Sequence, residues 1–394
     1  MDLSYILNEL GEERGQYYNA VSPPVMQSSN FAFNTVADMR NAMGNEFDAT
    51  LYSRGQNPTL NILRKKLAAL DGAEDALLFS SGIAAISTSV ISLVKQGDHV
   101  VCVENPYSWT DKLFRQLLPK FGVTSTFVTG TSIDDFTNAV KPNTRLIYLE
   151  SPNTFTYELQ DLKAVAKFAK AHGIITIIDN SYCTPLFQQP IESGIDLVAQ
   201  SATKYIGGHS DVMAGVVTGS RELIRQIFEH EFMNLGPALS PHSAWLLLRG
   251  LRTLQLRLQR SFESTRIITT WLAEHDGIET VLWPFSSSFP QAKLAHEQMQ
   301  GCGGLFSIAL KNSSYAKIEA FCNGLQHMLI AVSWGGHESL VVPAIASIPP
   351  EKYDADNERH QYIRVYIGLE DPQYLIDDIQ QALKKVKLSE TVYS

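Results

Sequence analysis

The sequence is poor in cysteine: its 394 residues include only four, which lie far apart in the chain. They are Cys102, Cys183, Cys302 and Cys322. No two of them form a C-x-x-C pair, which argues against a structural zinc site and against a disulfide framework. Because unpaired cysteines are typical of a reducing compartment, we expect a cytoplasmic protein without a resident metal.

Long apolar runs and blocks of positive charge are also missing. No apolar segment approaches the roughly 20 residues that a membrane helix needs, so we expect no membrane partner. The N-terminal stretch "MDLSYILNELGEERGQYYNA" has neither the basic nor the apolar segment of a secretory signal. The formal net charge is -9 and no basic cluster stands out, so we expect no nucleic-acid partner.

Two nucleotide-binding fingerprints are absent as well. The sequence has no G-x-G-x-x-G between a strand and a helix, and no G-x-x-x-x-G-K-[ST]. The first motif binds dinucleotides, and the second binds the phosphates of nucleoside triphosphates. A nicotinamide-dependent enzyme and a nucleotide-binding regulator therefore lack support.

What the sequence does contain is a regular alternation of apolar and amphipathic segments. Apolar runs that predict strands buried on both faces lie at 76–80, 99–104, 145–151, 174–180 and 197–203. Segments that predict helices separate them, at 84–95, 108–121 and 159–172. This order predicts an α/β fold in which helices cover a mostly parallel sheet.

The length of the chain predicts two domains. Residues 1–50 are polar and loop-rich, so we interpret them as an N-terminal arm, and residues 51–245 as a large cofactor-binding domain. A long amphipathic helix is predicted at 240–261. Residues 246–394 would then comprise this linking helix and a smaller C-terminal α/β domain. Its strand candidates are 303–310 and 362–369.

Polar residues fall at the ends of several predicted strands, where ligands bind in open α/β sheets. They are Ser80, Ser81, Gly82, Tyr107, Asn153, Asp179, Ser201, Thr203 and Lys204. In "FSSGIAAIS", the amide groups at a helix start are suited to hold a phosphate. An ordinary strand-to-helix turn capped by serine would have the same sequence, so this motif alone leaves both readings open.

Asp179 and Lys204 are each ambiguous alone but informative together. Asp179 ends a strongly apolar strand, where it could pair with a protonated ring nitrogen or simply cap a turn. Lys204 could be an ordinary surface lysine, or an amine that desolvation makes nucleophilic. A phosphate cradle, a stacking ring at Tyr107, an anion for a ring nitrogen and an amine together fit one cofactor, pyridoxal 5'-phosphate.

These motifs resemble those of the cysteine/methionine-metabolism (transsulfuration) enzymes from about residue 20 to 385. The matching stretches are "SPPVMQSSNF", "YSRGQNPT", "SSGIAA", "ESPNT", "IIDNSYCTPLFQQP", "SATKYIGGHSDVMAG", "LLLRGLRTL", "SWGGHESL" and "IRVYIGLED". That family depends on pyridoxal phosphate and has the aspartate-aminotransferase-type fold, known as fold type I. The resemblance implies the same fold and cofactor here.

The resemblance also implies roles for residues of the cofactor site. Lys204 would bond the cofactor covalently and later carry protons, Asp179 would keep the pyridine nitrogen protonated, and Tyr107 would stack on the ring and act as acid or base. The phosphate would be bound by Gly82, Ile83, Ser201 and Thr203.

Further implied roles concern the subunit contact and the substrate. Tyr52 and Arg54 would reach the phosphate of a neighbouring subunit, so the resemblance implies a homo-oligomer, at least a dimer and in the usual family assembly a tetramer. The N-terminal arm would contact that neighbour. Arg364 would clamp the substrate α-carboxylate through a two-pronged contact, assisted by Asn153 and Ser333.

We therefore expect a carbon–sulfur lyase that works by β-elimination on cystathionine or a related thioether or thiol amino acid. Trp334 resembles the cystathionine β-lyases, and Trp109 should narrow the pocket. Val332 stands where enzymes acting at Cγ of cystathionine carry glutamate and methionine γ-lyases carry an apolar residue. γ-Chemistry is the alternative: a methionine or cystathionine γ-lyase, or a synthase that uses O-acyl-homoserine. A cofactor-binding protein without turnover is disfavoured by Lys204.

Overall fold

The computed structural model describes residues 1–393 and the side chains of residues 1–386. Two β-sheets organise the chain. The strands of the first are β1 (Asp75–Phe79), β2 (His99–Val103), β3 (Thr124–Val128), β4 (Thr144–Glu150), β5 (Ile175–Asp179), β6 (Leu197–Gln200) and β7 (Gly215–Gly219). The strands of the second are β8 (Ile278–Leu282), β9 (Leu305–Leu310), β10 (Leu329–Ile330), β11 (Leu340–Pro343) and β12 (Ile363–Tyr366).

Helices connect the strands and cover both sheets. They are α1 (Leu3–Asn8), α2 (Val36–Met43), α3 (Pro58–Leu70), α4 (Gly82–Leu93), α5 (Ser108–Lys112), α6 (Ile133–Ala139), α7 (Leu162–Ala171), α8 (Thr184–Phe187), α9 (Arg221–Ile227), α10 (Met233–Leu235), α11 (Pro241–Leu251), α12 (Leu254–Ala273), α13 (Ala292–Gln298), α14 (Tyr315–Gly324), α15 (Glu358–Gln361) and α16 (Pro372–Tyr393). No helix among the described residues combines the length and the apolar character that crossing a membrane requires.

The large sheet has the order β1-β7-β6-β5-β4-β2-β3 and is mostly parallel, since only β7 runs antiparallel to its neighbours. Alternate residues of its central strands enter two separate cores. Cys102 and Tyr148 lie in the core on one face, whereas Val101 and Ile147 lie in the core on the other. Burial on both faces explains why these strands are continuous apolar runs, and it confirms the predicted α/β class.

The second sheet, in the order β10-β11-β12-β9-β8, is mostly antiparallel. Its apolar face belongs to a third core, which also includes Leu63 of α3, Leu247 of α11 and Leu383 of α16. This core therefore runs without interruption from the helices beside the large sheet to the C-terminal helix. Such a shared core fixes the position of the small sheet relative to the strand ends of the large one.

The single linking helix predicted at 240–261 is wrong, because the chain forms two helices that meet at Arg252 and Thr253. The guanidinium of Arg257 donates to the carbonyl oxygens of Gly250 and Tyr205 at 2.8 and 2.7 Å. Gly250 packs so tightly on the loop after β6 that a Cβ would lie 2.4 Å from the Ile206 carbonyl oxygen. The chain therefore ends one helix against this loop and starts another.

A buried acid behind the large sheet leads to a stability prediction. Asp71 accepts hydrogen bonds from Gln200 and Thr218 at 2.8 and 2.7 Å, and burial raises its pKa to about 7. The folded protein thus holds a proton that the unfolded chain releases above about pH 4, so stability should fall as the pH rises from about 4 to 7. Between about pH 4 and 7, we expect the free energy of unfolding of Asp71→Asn to fall by about 2–4 kcal/mol less than that of the wild type. Urea unfolding across that range measures the difference. Asp356→Asn, at an exposed position, is the control, and an unchanged slope in Asp71→Asn would contradict the prediction.

Candidate active site

The carboxyl end of the large sheet gathers side chains from five separate segments. Asp179 is the last residue of β5, and Glu150 is the last residue of β4, directly opposite it in the strand register. Gly82 starts α4, Tyr107 precedes α5, and Lys204 lies in the turn after β6. The chain thus brings these residues together at the edge where parallel sheets bind ligands.

Lys204 is held by the second domain as well as by its own turn. Its amine donates a hydrogen bond to the Ser333 hydroxyl at 2.5 Å, and it lies 5.3 Å from the centre of the Trp334 ring. Burial, aided by the positive charge of Arg364, lowers the pKa of Lys204 to about 8, although Asp179 acts in the opposite direction. An amine with this pKa is neutral in a substantial fraction of molecules near neutral pH, as a nucleophile requires.

The close approach of the two segments depends on a glycine. Gly335 has φ +89°, and a Cβ there would lie 2.8 Å from the backbone of Lys204 and Tyr205. Ser333 also has a positive φ, of 83°. This backbone conformation costs energy outside glycine and occurs mainly where the surroundings enforce it.

Arg364 is a guanidinium without a carboxylate. It lies on β12, in register with Ser307 of β9, and its Nη2 reaches the Ser333 carbonyl oxygen at 3.4 Å. Its guanidinium carbon lies 5.2 Å from the centre of the Phe155 ring. Burial lowers its pKa, and no ion pair of the described side chains includes it. A partly buried cation without a partner is stabilised by an incoming anion.

The start of α4 has the geometry to hold a phosphate. Ser81 caps this helix by accepting the Ala84 amide at 3.2 Å, and the amides of the first helical residues, Gly82 and Ile83, have no partner within the helix. Ser201 packs against Gly82 so closely that a Cβ on the glycine would lie 2.8 Å from the serine Cβ. Thr203 is nearby in sequence but its hydroxyl is occupied by the backbone of Ala214.

Tyr107 and Asp179 present an aromatic ring and an acid to the same edge. Asp179 accepts the Ser181 amide at 2.9 Å, and burial raises its pKa. Tyr107 is 44% exposed, and burial of its remaining surface, together with the negative charge of Asp179, raises its pKa. The exposed ring is free to stack on a planar ligand. Glu150 was not among the site residues predicted from the sequence, although its position at the end of an apolar strand was a usable signal.

Besides Thr203, three predicted residues lie apart or are already occupied. Tyr52 and Arg54 are exposed and contact each other, with the guanidinium carbon 5.5 Å from the ring centre. Asn153 is buried, and its side-chain amide nitrogen donates to the Glu158 carboxylate at 2.9 Å. Its amide oxygen accepts from the Thr156 hydroxyl at 2.8 Å and from the Glu158 backbone amide at 3.1 Å. In this arrangement Asn153 orders its own loop, so its role toward a substrate stays a prediction.

The specificity candidates differ in exposure. Trp334 is partly buried and contacts Tyr205, with 5.4 Å between ring centres. Trp109 is 55% exposed with the Lys112 amine 4.3 Å from its ring centre, and Val332 is 80% exposed. Of the three, only Trp334 therefore bounds the space beside Lys204 within this chain.

These side chains suit pyridoxal phosphate. The amide groups at the start of α4 and the Ser201 hydroxyl would hold its phosphate, Asp179 its ring nitrogen, and Lys204 its aldehyde. A Cβ at position 82 would occupy the cradle, which explains the glycine. Bound there, the cofactor supplies an electron sink for carbanion chemistry next to the amino-acid substrate.

Comparison with known proteins agrees with this fit. Residues 6–384 match a family described as Cys/Met metabolism PLP-dependent enzyme. The chain is 37% identical over 380 residues to L-methionine gamma-lyase of Pseudomonas putida, with 95% of each chain covered. It is 38% identical over 373 residues to cystathionine gamma-lyase of Bacillus subtilis (strain 168), covering 93% of this chain and 95% of that one.

A solved structure has the same fold. The crystal structure of metB from Corynebacterium glutamicum matches with a TM-score of 0.90 and 31% identity over 98% of both chains. The predicted fold, family and cofactor are thereby confirmed, whereas the assignment of individual site residues stays a prediction. The chain belongs to the family of Cys/Met-metabolism enzymes that depend on pyridoxal phosphate.

Proposed function

We propose that this protein is a carbon–sulfur lyase that eliminates a thiol from a sulfur amino acid. One observation carries the proposal: the Lys204 amine and the unpaired Arg364 guanidinium are joined through a single residue, Ser333. An α-amino acid carries its carboxylate close to its reacting carbon. The guanidinium can bind the carboxylate while the amine faces the α-hydrogen.

Three residues of the candidate site have separate roles in the elimination. Arg364 binds and orients the substrate carboxylate, and its burial makes that contact strong because water competes weakly there. Lys204 takes the α-proton at its Nζ, which its lowered pKa favours. Tyr107, with its raised pKa, holds its proton at neutral pH and is suited to donate it to the leaving sulfur.

γ-Elimination is the first candidate for the reaction. Relatives that match over most of the chain are named methionine γ-lyase and cystathionine γ-lyase. Val332, next to Ser333, offers no charge for a distal amino group. Val332 therefore gives no preference for a substrate with a charged distal group.

β-Elimination is the second candidate, and Trp334 favours it. Its indole lies 5.3 Å from the Lys204 amine and restricts the space in which a longer substrate could bend toward its Cγ. Both candidates use the same proton-handling residues, so the shape of the pocket decides between them.

Product analysis separates these reactions. The purified enzyme with bound cofactor is incubated with methionine, cystathionine, cysteine and O-acyl-homoserines, and the products are identified by mass. We expect 2-oxobutyrate from methionine if γ-elimination operates, and pyruvate from cysteine or cystathionine if β-elimination operates. A new thioether without a ketoacid would identify a synthase, and no product from any substrate would contradict the proposal.

We further propose that the active site is completed by a second copy of the chain in a homodimer or homotetramer. Tyr52 and Arg54 support this, because they are exposed in one subunit and pair only loosely with each other. In an equal mixture of Arg54→Ala and Lys204→Ala subunits, a hybrid dimer has one doubly altered site and one unaltered site. We expect about a quarter of wild-type activity to return after subunit exchange. No recovery despite exchange, tracked by native mass spectrometry, would contradict a shared site.

A cytoplasmic location is part of the same proposal. All four cysteines are buried and unpaired, and burial raises the pKa of their thiols. Free thiols of this kind are typical of proteins in a reducing compartment. Fractionation of the native cells with detection of this chain tests the location.

A further inference from the structure

Two carboxyl groups face each other at the centre of the site. Glu150 and Asp179 end neighbouring parallel strands and are directly paired in register. In-register residues on adjacent parallel strands lie about 4.8 Å apart and project from the same face. Two negative charges at that spacing, away from bulk water, would repel each other strongly.

The surroundings of Glu150 offer no compensating charge. It is 8% exposed, and the groups that face it are the carboxyl of Asp179, the phenols of Tyr107 and Tyr148, and the thiol of Cys102. None of these groups can carry a positive charge, and the groups that favour an ionised Glu150 are the backbone amides of Tyr107 and Thr154. Asp179, by contrast, has the Lys204 amine close enough to favour its ionised form.

Glu150 has a definite structural task. Its Oε2 accepts the Tyr107 backbone amide at 2.7 Å, across 43 residues of sequence. This hydrogen bond fixes the start of α5 against the end of β4, and with it the direction of the Tyr107 ring. A neutral carboxyl can keep this contact, because its carbonyl oxygen is an acceptor, although a carboxylate oxygen accepts more strongly.

We propose that Glu150 is a positioning residue that stays protonated in the working enzyme, so that it anchors Tyr107 while the single negative charge of the pair stays on Asp179. The proton removes the repulsion that would otherwise drive Asp179 to neutralise. Asp179 then keeps the charge that a protonated ring nitrogen needs. The role is independent of whether the enzyme eliminates at Cβ or at Cγ.

The pH dependence of stability has a definite sign. Burial and the charge of Asp179 raise the pKa of Glu150 to about 8. The folded enzyme therefore retains a proton that the unfolded chain loses above about pH 4.5, so Glu150 makes wild-type stability fall between about pH 4.5 and 8. Above pH 8 both states are ionised at this position, and the decline ends.

Glu150→Gln tests this, since its amide keeps an acceptor oxygen and cannot ionise. Melting temperatures of the variant and wild-type enzymes with bound cofactor are compared from pH 5 to 9. We expect the variant to gain several degrees relative to the wild type between pH 5 and 8, with no further gain above pH 8. Glu104→Gln, immediately after β2 at the same edge of the sheet, is the matched control. Its melting temperature relative to the wild type should not change with pH in this way. A difference between Glu150→Gln and wild type that is constant across the range would overturn the proposal.

A second measurement isolates the anchoring role. Glu150→Met has no acceptor for the Tyr107 amide, so we expect it to bind pyridoxal phosphate about 10-fold more weakly and to lose visible circular dichroism of the bound cofactor. Glu150→Gln should bind within about 3-fold of the wild type. An equal loss of pyridoxal phosphate affinity in both variants would mean that the charge of Glu150 is required, and would contradict the proposal. Should Glu150→Gln not fold, Glu150→Met serves in the melting experiment, because it also lacks an ionisable group.

Discussion

Replacing Lys204 by alanine is expected to lower kcat by about 10⁴-fold or more, because the chain would lose both the proposed covalent anchor for the cofactor and the proposed base. The lysine lies in a turn that the Ser333 hydroxyl fixes, so a neighbouring lysine has no route to the same position. The yellow colour of the bound cofactor should disappear as well. Borohydride reduction of the wild type, followed by peptide mapping, should leave the cofactor ring on the peptide that contains position 204.

Lys167→Ala, on the surface helix α7, is the control and should retain full activity and colour. Retention of the coloured band in Lys204→Ala, or the ring on a different peptide, would show that another amine binds the cofactor. Either result would remove the chemical basis of the proposed function.

The pH dependence of cofactor capture follows from the same residue. With a pKa of about 8, the Lys204 amine becomes neutral as the pH rises through that value. The rate at which cofactor-free protein captures pyridoxal phosphate should therefore rise up to about pH 9 and then level off. N-acetyl-lysine, measured in parallel, should continue to accelerate toward its ordinary pKa of about 10.4. Parallel curves for protein and model compound would contradict the lowered pKa.

Replacing Arg364 by alanine is expected to lower kcat/KM by about 10²–10⁴-fold, mostly through a higher KM. The two hydrogen bonds of a guanidinium clamp to a carboxylate are worth about 1.5–3 kcal/mol each. Among the described side chains, the other cation that contacts Ser333 is Lys204, which bonds its hydroxyl rather than its carbonyl oxygen. The matched control is Arg260→Ala on α12, whose side chain is 43% exposed, and it should leave both constants unchanged.

A stability measurement distinguishes a substrate clamp from a structural arginine. The guanidinium of Arg364 is partly buried without a carboxylate, and this loss of hydration costs free energy until an anionic ligand binds. We therefore expect Arg364→Met to unfold at the same temperature as the wild type or higher. A large loss of stability would mean that Arg364 serves the fold, and an unchanged KM in Arg364→Ala would exclude it from the site.

Much of the large domain could be predicted from the sequence because its central strands are buried on both faces. Burial of that kind produces apolar runs, and the runs at 99–104 and 145–151 coincide with β2 and β4 to within one residue. The antiparallel strand β7 was missed. Its glycines obscured it, and Gly215 is required because a Cβ would lie 2.2 Å from the Ser81 carbonyl oxygen. The broken helix at Arg252 was missed because the break depends on the loop around Gly207, far away in sequence.

The candidate site likewise contains residues that could be predicted from the sequence and residues that could not. Gly82, Asp179 and Lys204 each follow or end a strand, so the topology of a parallel sheet alone predicts that they meet. Ser333 and Arg364 were placed at the site only through the family resemblance, since they come from the second domain and approach Lys204 across 129 and 160 residues of chain. Glu150 was missed because its partners, Asp179 and Tyr107, become neighbours only through strand register and the turn before α5.

The sequence by itself determined the cofactor, the family and the edge of the sheet at which we propose the active site, because these follow from residue types at strand ends and from motif order. Only the tertiary structure decided which charges have partners: an arginine without a carboxylate, a lysine with a lowered pKa, and two acids side by side. The reason is physical. Charge states depend on burial and on distances of a few ångströms, which are set by the packing of segments that are distant in the chain.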